Sequence, residues 1–355
     1  MLRTLLATLF ATLLLVTWNA GLAPEPTAAD NHRISGQGAY RFKVAYKGSH
    51  LPPEAQAVLA NAHGGFAIDR RPGRGEVYFA LPGAGIIQVS SDLSAAKMLP
   101  TAAAMKPHNM HNATIWHDSA GGAHLSFPGN DIGAVFTTDL GGKLQHELTA
   151  PVGSEDLGPP AATDYFRGRG NFVPTDVEEM GGLLYVATGY SALDYVLTAK
   201  IDSTDPFEVS WHDLAFGGKG DSPGQFGTGH GITVPAGMRR IDVADRPHAE
   251  IDRFTRHGQY ISTLKLPPGS FPCDVDYLDS LAVVGTLHGA DRQQGAPIYV
   301  LENDRLVSTI LPKAELGLEN FQHVHNAVLH KANGKLYVIA QAWNPGDFAI
   351  LERVM

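Results

Sequence analysis

The sequence predicts an all-β fold, a six-bladed β-propeller, on three observations. Thirty-nine glycines and twenty-three prolines divide the chain into short apolar alternations, the composition of many strands joined by tight turns. No convincing long helical pattern follows the N-terminal apolar run. A unit recurs six times at roughly the 40 to 50 residue period that marks propeller blades.

The chain opens with Met1, Leu2 and Arg3, then an apolar run from Leu5 to Val16, then Trp18, Asn19 and Ala20. A positive start, roughly a dozen apolar residues and small residues after them read as a secretory signal, since a spanning helix needs roughly 20. Residues 1–29 are therefore expected to be a signal peptide and short linker, with cleavage after Ala20 or Ala29. Residues 30–355 are expected to form one propeller in an exported, periplasmic or secreted protein, with no membrane contact once the signal is removed. A net charge of −9 without a basic cluster excludes nucleic acid and anionic lipid as partners. The single cysteine, Cys273, excludes an internal disulfide framework, so the core must supply the stability.

The blades begin, in order, at His63-Gly64-Gly65-Phe66, His111-Asn112-Ala113-Thr114, Thr175-Asp176-Val177, His230-Gly231-Ile232-Thr233, Cys273-Asp274-Val275 and His325-Asn326-Ala327-Val328. Their start-to-start spacings are 48, 64, 55, 43 and 52 residues. Second strands are expected at 76–80, 124–127, 184–187, 241–244, 281–284 and 336–339. Third strands are expected at 85–89, 134–137, 195–199, 249–254, 298–301 and 348–351. Fainter outer strands follow in five units, and the sixth runs out of chain. The alternating segment Tyr40 to Tyr46 is expected to supply its missing strand, closing the ring and covering the edge.

Antiparallel pairing returns the end of each second strand to the rim where the first strand starts. Four imidazoles and a thiol then recur at one repeated position: His63, His111, His230, His325 and Cys273. Taken singly, each histidine reads as a packed, hydrogen-bonded residue. Together they read as a metal centre, because three neutral imidazoles with an open fourth position are the donor set of catalytic zinc. His108 and His323 each precede a ring histidine and are candidates for partners behind it. Cys273 alone reads as a small core residue, and His117, His124, His146, His212 and His257 as surface residues.

Gly217-Gly218-Lys219-Gly220-Asp221-Ser222-Pro223-Gly224-Gln225-Phe226, followed by His230 to Val234, Val243 to Arg246 and Ile251 to Phe254, resembles a full NHL repeat. Three further motifs, Asn109-Met110-His111-Asn112-Ala113-Thr114, Gly229-His230-Gly231-Ile232-Thr233 and Val324-His325-Asn326-Ala327-Val328, resemble the zinc-binding strands of peptidylamidoglycolate lyases. Pro174-Thr175-Asp176-Val177, Thr188-Gly189-Tyr190 and Ala244-Asp245-Arg246 resemble that family's proton-transfer and substrate-binding motifs. The resemblance implies zinc, or another divalent metal, on His111, His230 and His325, with Tyr190 as catalytic base and Arg246 as a cation facing a small-molecule or peptide-derived substrate. It further implies cleavage of a carbinolamide to an amide and glyoxylate, with the Tyr190 pKa lowered by the metal or Arg246. The family's structural calcium is held partly by an aspartate after the last histidine. Asn326 stands there in this chain, and a neutral ligand weakens such a site. The family's first-blade arginine has no match, with His63 in its region and Arg70, Arg71 and Arg74 beyond. A non-catalytic binding propeller and another metal-dependent hydrolase or lactonase are the competing functions, since fold alone does not fix activity.

Overall fold

In the computed structural model, which describes residues 33–153 and 155–354, six antiparallel sheets stand around a central axis. The signal and linker expected at 1–29 lie outside the described residues. No helix among those described is long and apolar enough to cross a membrane.

Each blade sends its first strand to the axis: Ala67–Ile68, Thr114–His117, Asp176–Met180, Gly229–Thr233, Pro272–Leu278 and Val324–Ala332. The first strand of one blade packs against that of the next, except that the sixth meets the first through side-chain contacts such as His325 to Gly64. Between blades lie apolar layers built from the inward positions of second and third strands, among them Val283, Val300, Ile298 and Val338. The 64-residue interval between the second and third starts holds a short helix, Pro160–Arg167. Its Ala162 and Phe166 pack on Leu157 and Phe172.

Ring closure follows the sequence expectation. Tyr40–Lys47 pairs antiparallel with the last strand, Asp347–Val354, with Phe42 opposite Arg353 and Val44 opposite Leu351. A further strand, Ser35–Gln37, adds to this edge and reaches the neighbouring blade through Gln37 N to Ser308 Oγ (2.8 Å) and Thr309 N to Gln37 Oε1 (2.7 Å). The N-terminal hairpin thus straps the fifth and sixth blades together. Phe42 is fully buried in that seam. Phe42→Ala is expected to cost about 3–5 kcal/mol through lost burial and an unfilled cavity. Urea unfolding would read this as a lower midpoint, and an unshifted midpoint would mean the closing strand contributes little.

The glycine-rich segment of the fourth unit has a packing reason. Gly217 has φ +84°, and a Cβ there would lie 2.1 Å from the Phe226 ring. Phe226 is fully buried beside Phe254, Tyr185 and Ile241. The loop folds back through Phe226 N to Gly218 O (2.9 Å) and Gly220 N to Phe226 O (3.0 Å). Glycine is required where the backbone passes this close to a ring.

Two first-strand boundaries differ from expectation. In the first blade the strand begins at Ala67 and in the second at Thr114, so His63 and His111 lie in the segments before them.

A histidine cluster at the mouth of the axis

Strand irregularities place the site. Pairing skips one residue between Gly229 and Gly231, between Pro272 and Asp274, and between Val324 and Asn326. The skipped residues are His230, Cys273 and His325, so each is the extra residue of a β-bulge. A bulge re-aims the side chain it carries. His111 reaches the same level in the second blade, where its N–H bonds Pro128 O (2.8 Å).

His111, His230 and His325 come together. Their ring centroids are 4.7 Å (111–230), 4.5 Å (111–325) and 5.1 Å (230–325) apart, and all three are buried. Each donates its Nδ1 proton to a carbonyl of the next blade: His111 to Thr175 (2.7 Å), His230 to Cys273 (2.7 Å) and His325 to Gly64 (2.8 Å). Even blades thus carry the imidazoles and odd blades hold them. A carbonyl can only accept, so Nδ1 keeps the proton and Nε2 presents a lone pair.

Two of those lone pairs meet: His111 Nε2 and His325 Nε2 are 3.1 Å apart. Neutral rings in this tautomer repel at that distance, and burial resists the protonation that would relieve them. All three pKa values are held well below the usual 6.5, by burial first; adjacent histidines and Arg246 add to the lowering. His111 and His325 therefore offer facing donors that suit a divalent cation, whereas His230, among the described residues, is not in the group whose ligand nitrogens lie within 4.8 Å of one another. His63 joins as a fourth ring, T-shaped to His111 (4.6 Å) and His325 (4.5 Å) and stacked on Trp343 (5.0 Å). Nitrogens of His63, His111 and His325 lie within 4.8 Å of one another. His63 differs in its hydrogen bonding, since its Nδ1 accepts from Asn109 Nδ2 (3.0 Å), which leaves its proton on Nε2. Burial, then Arg246, pushes its pKa down to about 3.

Tyr190 and Arg246 meet at the same rim. Tyr190 Oη accepts from Arg246 Nη1 (2.6 Å) and donates to His230 Nε2 (3.1 Å). The tyrosine is 39% exposed, but its hydroxyl is enclosed between these two side chains. Its pKa is raised: burial of the hydroxyl outweighs the opposing pull of Arg246, which acts in the expected direction. Arg246 is not a blade-to-blade ion pair. Asp245 is occupied by Gly227 N, Thr228 N and His248, and Glu250 by Lys265. Arg246 instead touches Tyr190 Oη and Cys273 Sγ (3.1 Å), with Nε buried and unpartnered. Cys273 is fully buried, its thiol pKa raised by burial against the pull of Arg246.

The remaining expected residues fall outside the cluster. His108 pairs with Asp131 (3.1 Å), and His323 donates to Leu287 O (2.7 Å) behind Trp343. His124 is not a surface residue: it is buried, stacked on Trp116 and bonded to Asp118 and Gln145. Arg70 and Arg71 pair with Asp276 and Asp69 and line a cavity that includes His117 but none of His63, His111, His230 and His325.

One feature escaped the sequence reading. Asn112, Asp176, Asp274 and Asn326 each follow a blade-start position and are buried or enclosed near the axis. Asn326 Nδ2 donates to Asp274 Oδ2 (2.8 Å) and Asn112 Oδ1 (3.2 Å), while Asp176 accepts from Ile232 N (2.9 Å). Burial raises both aspartate pKa values, and the Asp274 charge adds to that of Asp176. Recurrence of Asn or Asp one residue past four of the six starts was the available signal. The amide of Asn326 turns its N–H groups toward these oxygens and binds the layer by hydrogen bonds, while its own Oδ1 has no hydrogen-bond partner.

No protein-family model matches the chain, and no curated protein matches it by sequence. Among solved structures, a chain of a mitotic checkpoint complex aligns at 10% identity with TM-score 0.50, covering 98% of this chain and 99% of that one. Virginiamycin B lyase from Staphylococcus aureus aligns at 12% identity with TM-score 0.45, over 82% and 94%. The β-propeller domain of Myceliophteria thermophila Cps50 (Swd1) aligns at 11% identity with TM-score 0.46, over 82% and 83%. The likeness is one of fold alone.

The depressed imidazole pKa values set a pH expectation. Protons compete with a cation for these lone pairs only below the folded-state pKa, which lies below that of free imidazole. Metal content after dialysis is therefore expected not to fall as the pH is lowered through 6.5. Loss beginning near 6.5 would show rings that protonate as free imidazole does.

Proposed function

We propose that this chain is an exported NHL-type propeller acting as a metal-dependent carbon–nitrogen lyase of the peptidylamidoglycolate lyase type. The observation that supports it most is the facing pair of Nε2 lone pairs on His111 and His325, with His230 beside them and all three Nδ1 protons committed to carbonyls. Neutral nitrogen donors with an open position suit zinc, and the absence of a carboxylate from this donor set disfavours a calcium-centred lactonase. His111, His230 and His325 would hold the metal, which would supply a Lewis acid against a substrate hydroxyl or carboxylate oxygen.

The protein groups perform the rest. Arg246, a buried cation with no carboxylate partner among the described residues, binds the substrate carboxylate. A metal held by His230 would take the lone pair to which the Tyr190 hydroxyl now donates, and would leave that oxygen free to face the substrate. Arg246, 2.6 Å away, favours its ionised form. In its ionised form, as the phenolate, Tyr190 takes the proton of the carbinol hydroxyl. Collapse of the alkoxide forms the aldehyde carbonyl of glyoxylate and breaks the carbon–nitrogen bond. The electron pair and the proton held by Tyr190 pass to nitrogen, giving the amide with no net proton change.

Metal analysis of the purified protein, followed by glyoxylate release from an N-acyl-α-hydroxyglycine, tests the reading. Stoichiometric zinc with metal-dependent glyoxylate release is expected. A chain without stoichiometric metal is a binding propeller, and zinc without glyoxylate points to another metal-dependent reaction.

A further inference from the structure

The histidine cluster borders a cavity of about 540 Å³ between the first, second and sixth blades, lined in part by Asn61, His63, Asn109, Asn130, Asp131 and Trp343. Ring contacts run unbroken across the mouth: Trp343 on His63 (5.0 Å), His63 on His111 (4.6 Å), His111 on Tyr190 (5.4 Å), and the Arg246 guanidinium 5.7 Å from the Tyr190 centroid. Charge is divided along that line. Arg246 stands at one end, and Asp131 is the only acidic residue and the only formal charge lining the cavity at the other.

We propose that this cavity holds the acyl side of the substrate, and that Trp343, Asn109 and Asp131 select a planar neutral or basic residue next to the reacting carbon and reject an acidic one. The proposal rests on the lyase reading. A substrate whose carboxylate lies on Arg246 and whose carbinol carbon lies at the histidines must extend away from Arg246, and this cavity adjoins the cluster on the Trp343 side. There the acyl chain meets three features. The half-buried Trp343 indole lies against His63 (5.0 Å) and His323 (5.6 Å) and lines the cavity with its remaining apolar surface, against which a substrate ring or amide packs. Asn109 lines the cavity with an enclosed Oδ1 that has no hydrogen-bond partner, and a turn of its amide would offer that acceptor to a substrate N–H. Asp131 holds Asn109 N (3.1 Å) and His108 (3.1 Å), yet its side chain remains 45% exposed, so its charge is felt in the cavity. A glutamate side chain placed there meets like charge with no lining lysine or arginine to offset it.

The test compares N-acetyl-Phe-, N-acetyl-Lys- and N-acetyl-Glu-α-hydroxyglycine as substrates of the zinc-loaded protein. Calorimetric binding of N-acetyl-Phe, -Lys and -Glu amides, which lack the hydroxyglycine, runs alongside. The Phe and Lys compounds are expected to exceed the Glu compound about tenfold in kcat/KM and in affinity. Asp131→Asn is expected to remove most of the Glu penalty, and Trp343→Leu to raise KM for the Phe substrate about tenfold. Equal values across the series, a Glu penalty that survives Asp131→Asn, or a Trp343→Leu loss carried by kcat and not KM would overturn the proposal. If no substrate turns over while the Phe amide still binds better than the Glu amide, the cavity preference stands and the lyase reading fails. Absence of discrimination in both measurements removes the cavity assignment itself.

Discussion

His111→Ala is expected to strip the metal from the protein and lower glyoxylate release by roughly a thousandfold. Lewis-acid stabilisation contributes several kcal/mol to a barrier, and about 1.4 kcal/mol is a factor of ten. The fold should survive. In the unliganded protein His111 and His325 present lone pairs to each other at 3.1 Å, so removing one ring relieves repulsion that offsets part of the lost packing. Thermal unfolding with and without added zinc separates the two effects: wild type should gain stability with zinc, as expected when a ligand binds only the folded state, and His111→Ala should not. His63→Ala is the matched control. His63 touches His111 and His325 but accepts on Nδ1, the opposite tautomer to the other three rings. It should keep its zinc. Loss of zinc in His63→Ala with retention in His230→Ala would reassign the ligands to His63, His111 and His325, and full zinc in His111→Ala would end the metal hypothesis.

The blades and the convergence of the three histidines were legible because a repeat turns sequence position into spatial position. Residues that begin successive units must lie around one axis, whatever the details of each strand. The alternating segment before the first unit was likewise readable as the closing strand, since the sixth unit lacked one. Backbone register was not readable. His230, Cys273 and His325 point to the axis through β-bulges, and a bulge leaves no periodic trace in side-chain hydrophobicity. Contacts between distant segments were equally hidden: Trp343 stacks on His63 because ring closure brings the last blade beside the first. Burial also misled. His124 follows a glycine pair and looked solvent-facing, but it stacks on Trp116 between a carboxylate and an amide. For Tyr190 the sequence indicated a cationic neighbour and hence a lowered pKa. The enclosure that raises it is a property of the assembled rim.

Tyr190→Phe is expected to abolish turnover while leaving the metal in place, a combination that separates a proton-transfer role from a packing one. Losing the hydroxyl removes the acceptor of buried Arg246 Nη1, a cost of about 1–3 kcal/mol that lowers stability without removing the ring from the rim. That hydroxyl sits between Arg246 Nη1 at 2.6 Å and His230 Nε2 at 3.1 Å, the one phenol oxygen in contact with both the proposed substrate cation and a proposed ligand ring. Removing a positioned proton acceptor typically lowers a rate by roughly 100-fold to 10,000-fold. The burial-raised pKa makes a pH signature part of the same test. An ionised Tyr190 acting as base requires kcat/KM to climb with pH until the phenol of the loaded protein has titrated, and that alkaline climb should vanish from the residual activity of Tyr190→Phe. Arg246→Met should act in the same direction through a second route, since it removes both the carboxylate anchor and the charge favouring the phenolate. Its loss should appear in KM as well as kcat, unlike that of Tyr190→Phe. Near-normal glyoxylate release from a zinc-loaded Tyr190→Phe protein would remove Tyr190 from the mechanism. Parallel loss of zinc and activity would instead make its hydroxyl part of the binding site that holds His230.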